Sequence, residues 1–119
     1  MKMPSILIVE DEILIRMTAV LIVEEAGYRT VEAANSEEAI AVLEHATDIA
    51  AVFTDVNMPG QMDGLWLSRM IRERWPPIGL VVTSGRIGAR NPGLMTGVLF
   101  LPKPYTPDQV TTALRSCAA

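Results

Sequence analysis

Cysteine is nearly missing from this chain. Only Cys117 is present among 119 residues, so no intrachain disulfide can form. That suits a reducing compartment, and Cys117 belongs to no motif. Histidine is just as scarce. His45 stands alone, late in an expected helix, and a surface role is expected for it rather than phosphotransfer or metal binding. Basic runs are missing too: ten Lys and Arg are scattered against fourteen Asp and Glu, for a formal charge of −4. Nucleic-acid phosphates are held by clustered Lys and Arg, so nucleic acid is not an expected direct partner. No stretch approaches the ~20 apolar residues of a membrane span. The apolar run Ser5–Val9 meets Glu10, Asp11 and Glu12 far too early for a signal peptide. The expectation is a soluble, cytoplasmic protein with no membrane partner. With no linker and no repeat, residues 1–119 read as a single domain.

Half of the residues are hydrophobic, enough for a core without staples. They alternate between strand-like and helix-like stretches. Ser5–Val9 is a continuous apolar run, as in a strand buried on both faces. Ile13, Met17, Val20 and Leu21 recur at helical spacing, and Gly27 suits the position just past the helix end. Met17, Leu67 and Met70 are expected core fillers, and Trp66 and Trp75 are expected to pack. Tyr28–Ala33 is a second expected strand. Asn35 and Glu38 have the spacing of a capping box at the start of a second helix. Ala50–Thr54 is a third strand. A third helix runs from about Gly64 to Trp75 and is stopped by Pro76-Pro77. Ile78–Thr83 and Val98–Leu101 are further strands. Thr106-Pro107-Asp108-Gln109 opens the last helix with a Thr cap, Pro at the first position and Gln at the third. Between strands four and five, residues 85–93 hold three glycines and a proline, so the fourth helix is expected to be short, irregular or absent.

Right-handed βα crossovers give a doubly wound α/β fold. The expected architecture is a five-stranded parallel sheet of order 2-1-3-4-5, in which ligands bind at the carboxyl ends of the strands. Glu10-Asp11, Asp55, Ser84 and Lys103 all follow such ends. Strands 1 and 3 are neighbours in this order, so Glu10, Asp11 and Asp55 converge. Carboxylate oxygens suit Mg²⁺, a hard cation that keeps several waters. Like charges ~4 Å apart repel by about 4 kcal/mol at an effective dielectric of 20, so clustered acids call for a cation.

These residues resemble the receiver domain of two-component response regulators over nearly the whole chain. The resemblance rests on Glu10-Asp11 after strand one and on Asp55-Val56-Asn57-Met58-Pro59-Gly60 with Met62-Asp63-Gly64 after strand three. It rests equally on Ser84-Gly85 and Lys103-Pro104. The resemblance implies that Asp55 is the phosphoacceptor. It implies Mg²⁺, with Mn²⁺ as a substitute, held by Glu10, Asp11, Asp55 and the backbone carbonyl of Asn57. Ser84 would hydrogen-bond a phosphoryl oxygen, and Lys103 would pair with Asp55 and then with the phosphoryl group. Phe100 takes the aromatic switch position, and Lys103-Pro104 would be a cis peptide. The implied donor is a phosphohistidine on a sensor histidine kinase or histidine phosphotransfer protein, and the output passes to an unidentified downstream protein.

Three features depart from the commonest family pattern: Glu10 in place of Asp, Gln61 lengthening the loop, and the glycine-rich stretch after Ser84. Arg86 could guide a partner's phosphate or tune hydrolysis of the acyl phosphate, or be a loop arginine. The reading is a stand-alone phosphoacceptor switch rather than an enzyme with an independent substrate. An Asp-nucleophile phosphatase or phosphotransferase is the competitor. Such enzymes often carry a second Asp two residues after the nucleophile, where this chain has Asn57. A receiver-like adaptor that never carries phosphate is a third reading, and the intact Asp55, Ser84 and Lys103 set argues against it.

Overall fold

A computed structural model of the chain describes residues 4–85 and 97–118. The strands are β1 (Ser5–Val9), β2 (Arg29–Ala33), β3 (Ile49–Asp55), β4 (Gly79–Ser84) and β5 (Leu99–Pro102). The helices among the described residues are α1 (Ile13–Glu25), α2 (Ser36–His45), α3 (Gly64–Arg74) and α4 (Pro107–Cys117). All strand pairs are parallel, and the order is β2-β1-β3-β4-β5, as expected. The expectation of a short or missing fourth helix concerns residues 85–93, of which 86–93, Arg86 included, lie outside the described residues.

Alternation along the central strands builds a core on each face. From β1, Ile6 and Ile8 join Ala19 and Val23 of α1 and Val110 and Leu114 of α4. Leu7 and Val9 point the other way, to Ala39 and Leu43 of α2 and Leu67 and Ile71 of α3. Side chains that alternate across a strand make this two-sided burial possible only when both faces are covered. Fully burying one such Leu or Ile stabilises the fold by about 1.5–3 kcal/mol. These two cores hold the strand ends level at one rim.

Helix ends follow local chemistry. Thr106 accepts from the Gln109 amide and Gln109 reaches back to the Thr106 amide, the full reciprocal box expected for α4. At α2 the Asn35 side chain accepts from the Glu38 amide, but Glu38 accepts from the Ala34 amide rather than from Asn35, so the box is offset by one residue. Gly27 closes α1 with φ near +100°.

Two expectations need correcting. β3, β4 and β5 each run one residue further than expected, so Asp55, Ser84 and Pro102 are the last strand residues and not the first loop residues. Met17 is not in the core. Ile13, Leu14, Met17 and Leu21 are 60, 75, 53 and 61 % exposed. α1 is apolar around most of its circumference, so its periodicity does not single out a side. The small Ala19 and the branched Val23 take the sheet-facing positions. Leu67 is fully buried, and Trp66 and Trp75 pack against the α2–α3 core as expected.

Candidate functional site

Register brings the predicted residues to one rim. Val9 lies beside Thr54, Asp55 beside Thr83, and Ser84 beside Pro102. Glu10, Asp55, Ser84 and Lys103 therefore sit at adjacent strand ends. Carboxylate oxygens of Glu10, Asp11 and Asp55 all lie within 4.8 Å of one another. Glu10 and Asp55 are buried, while Asp11 is exposed.

Lys103 spans the cluster. Its Nζ donates to Asp55 Oδ2 at 3.1 Å and to Glu10 Oε1 at 3.4 Å. The lysine precedes a cis peptide to Pro104, as the family resemblance implies. Burial pulls the ammonium pKa down. The adjacent Asp55 charge and hydrogen bond, then Glu10, more than offset this and leave it above its ordinary value. Glu10 moves upward to about 7. Burial is the main cause, and the neighbouring Asp55 charge adds to it. The Glu12 amide, 3.2 Å from Glu10 Oε2, and the Lys103 charge act the other way. Lys103 stands closer to Asp55 than to Glu10, so the Glu10 charge is the less compensated of the two.

Other contacts hold the frame rigid. The Asn57 amide donates to Asp55 Oδ1 at 3.2 Å, so both oxygens of that carboxylate are held. The Val56 amide bonds the Thr83 carbonyl at 2.9 Å, and the Lys103 amide bonds the Ser84 carbonyl at 3.0 Å. Gly64 packs against the same turn: a Cβ there would run into the Asp55 carbonyl oxygen. No side chain fits, which is the physical reason for glycine after Asp63. Asp63 caps α3 by accepting from the Trp66 amide. Phe100 lies on β5 opposite Val82 and is half-buried. His45 is exposed, with Nδ1 2.9 Å from the Ala41 carbonyl oxygen, at the surface as expected.

Three supporting side-chain contacts are absent from the sequence reading. Arg16 of α1 donates to the Glu10 carbonyl at 2.9 Å and pairs with Glu32 at 3.0 Å, bracing the acidic turn from behind. Ser36, fully buried, donates to the Met62 carbonyl at 2.7 Å and ties α2 to the loop after Asp55. The Asn57 side chain donates through Nδ2 to Ser84 Oγ at 3.0 Å. Only the Asn57 backbone had an expected role. An arginine one helical turn into α1, or a serine at the first position of α2, carries no signal without the fold.

The donor set fits a hard divalent cation: every side-chain ligand is a carboxylate oxygen, and the three converge from two neighbouring strands. Such a sheet, with helices on both faces and strand order 2-1-3-4-5, has the CheY-like α/β fold. The family model for the response regulator receiver domain matches residues 6–115, and the chain belongs to that family. It is 36 % identical to the sensor kinase CckA of Brucella abortus (strain 2308) over 115 residues, 93 % of this chain and 12 % of that protein. It is 36 % identical to the aerobic respiration control protein ArcA of Escherichia coli (strain K12) over 119 residues, 98 % of this chain and 49 % of that protein. The chain thus spans half or less of these curated relatives. Among solved structures, a response regulator receiver protein from Pseudomonas putida superposes with a TM-score of 0.87 at 27 % identity, covering 98 % of each chain. The family is one of phosphoacceptor signalling domains. No helix among the described residues is long and apolar enough to cross a membrane.

Proposed function

We propose that this chain is the phosphoacceptor of a two-component or phosphorelay system and takes a phosphoryl group onto Asp55 from a protein phosphohistidine. The observation that carries the reading is the grip of Lys103 Nζ on Asp55 Oδ2 at 3.1 Å inside a three-carboxylate cluster. An Asp55 carboxylate oxygen attacks phosphorus in line, a P–O bond forms, and the P–N bond to the donor imidazole breaks. The electron pair of that bond stays on the imidazole nitrogen. Charge is spread over three equatorial oxygens in the transition state, so placement and electrostatics suffice. Lys103 neutralises one of them, and the Ser84 hydroxyl donates to another. Glu10, Asp11, Asp55 and the Asn57 carbonyl would hold Mg²⁺, with Mn²⁺ as a substitute, and the ion supplies positive charge against carboxylate and phosphoryl oxygens. Phosphorylated Asp55 then draws Ser84 toward it and frees space for Phe100 to turn inward, which passes the signal to a downstream protein. The setting is cytoplasmic.

The donor protein also needs a surface to hold. Leu14, Ile15, Thr18 and Ile22 of α1 line a shallow groove that reaches Lys103, Pro104 and Tyr105. Of the exposed apolar residues of α1, Leu14 lines this groove, while Met17 and Leu21 line a separate surface with Val20 and Glu32. A kinase or phosphotransfer protein that packs apolar surface there brings its histidine to Asp55.

Incubation with acetyl phosphate and Mg²⁺, followed by intact mass measurement, tests the proposal. One phosphoryl mass gained, and lost in Asp55→Asn, supports it. No gain supports an adaptor that never carries phosphate, and rapid catalytic consumption of the donor supports a phosphatase. Leu14→Asp is expected to slow transfer from a phosphorylated donor protein and leave the acetyl phosphate reaction unchanged. Equal slowing of both would remove α1 from the docking surface.

A further inference from the structure

We infer that the Asn57 carboxamide is a latch that holds the Ser84 hydroxyl in its unphosphorylated position. The inference rests on the phosphoacceptor reading above. Nδ2 of Asn57 lies 3.0 Å from Ser84 Oγ, a bond between side chains 27 positions apart in the chain. The residues differ in setting: Asn57 is exposed on the loop and Ser84 is 1 % exposed at the end of β4.

Both backbones are fixed independently. The Asn57 amide is held by Asp55 Oδ1, and the next amide, of Met58, closes a tight turn onto the Val56 carbonyl. The Ser84 carbonyl accepts from the Lys103 amide at 3.0 Å. Side-chain rotation alone can therefore make or break the contact, with no backbone shift. A carboxamide nitrogen only donates, so the Ser84 oxygen is the acceptor here.

Phosphorylation requires the hydroxyl to turn and donate to a phosphoryl oxygen. The rotation about the Ser84 Cα–Cβ bond that brings Oγ to the phosphoryl group carries it out of reach of Asn57 Nδ2, which then loses this acceptor. The bond is present in the unphosphorylated form and is lost in the phosphorylated one, so it biases the equilibrium toward the former. A side-chain hydrogen bond of ordinary strength corresponds to a bias of about two- to tenfold. Asn57 is thus a positioning residue that acts through Ser84. Its backbone carbonyl, the proposed metal ligand, is a separate group and survives side-chain truncation.

Beryllofluoride, a phosphoryl mimic, provides the test on the Mg²⁺-loaded protein. In Asn57→Ala, the ligand-free amide resonances of Ser84 and Lys103 should move along the line toward their beryllofluoride-bound positions. The beryllofluoride Kd should fall about two- to tenfold. Asn57→Ser, too short to reach, should do the same. In a Ser84→Ala background, Asn57→Ala should leave the Kd unchanged. A Kd that is unchanged or raised in Asn57→Ala, or that falls equally in the Ser84→Ala background, overturns the latch. If the wild type itself takes no beryllofluoride, the phosphoacceptor reading fails and the latch fails with it. If the wild type binds and the variants do not tighten, the latch alone fails.

Discussion

The two ends of the sheet treat charge in opposite ways. At the amino end the named charged groups are bonded within the fold, apart from the buried Arg72 Nε, which has no partner among the described residues. Ser5 donates to Asp48 at 3.0 Å, and Arg72 donates to the Pro76 and Ile78 carbonyls at 3.0 Å each. Arg74 pairs with Glu44 at 2.9 Å and lies 4.4 Å from the Trp75 ring centre. At the carboxyl end, among the described residues, Glu10, Asp11 and Asp55 face one ammonium, that of Lys103. Where the protein only has to fold, charge is met by hydroxyls, carbonyls or one opposite charge. It is left in excess where a cation and then a phosphoryl group have to be received. Burial makes that excess costly, because low dielectric strengthens repulsion as well as attraction.

Each end can be disturbed separately. The largest effect expected concerns metal-linked stability. Mg²⁺ at a hundred times its Kd should stabilise the fold by about 2.7 kcal/mol by mass action. Asp11→Asn should remove most of that gain. Arg74→Ala, at the other end, should keep the gain and cost about 0.2–1 kcal/mol, the range for an exposed pair. Thermal melts with and without Mg²⁺ decide this, and an unchanged Mg²⁺ response in Asp11→Asn would remove that residue from the ligand set.

A smaller effect is expected from pH. Glu10 is raised from 4.5 to about 7 in the folded protein, so the native state holds a proton that the unfolded chain has released. Without Mg²⁺, the stability this group contributes is present below pH 4.5 and lost as pH rises to about 7. Glu10→Gln should flatten that part of the stability curve. A metal ligand must be deprotonated, so Mg²⁺ affinity runs the other way and should rise roughly tenfold from about pH 6 to about pH 8. Isothermal titration at the two pH values measures it, and an affinity independent of pH would place Glu10 outside the metal site.

The same contrast explains what was legible in the sequence. The end of β1 was legible because Ile6–Val9 is uniformly apolar and stops abruptly at acids, whereas β3 and β4 meet no such run of acids and ran one residue further. The Thr106–Gln109 box was legible because both partners lie within one turn. Met17 was misplaced because helical spacing marks a stripe without saying which side meets the sheet, and small Ala19 took the contact. Asp55 and Lys103 could be brought together through topology alone. The bonds from Asn57 to Ser84, Ser36 to Met62 and Arg16 to the Glu10 carbonyl could not, because they depend on rotamers and loop paths. Burial pushes the Cys117 thiol upward, away from reactivity.

The central claim is that one particular carboxylate, Asp55, receives the phosphoryl group. Trapping the acyl phosphate answers it directly. After reaction with acetyl phosphate and Mg²⁺, borohydride reduction converts an aspartyl phosphate to homoserine, and peptide mapping locates the converted residue. Homoserine at position 55 is the predicted result. Conversion at Asp11 instead, or a phosphorylated protein with Asp55 intact, would contradict the account.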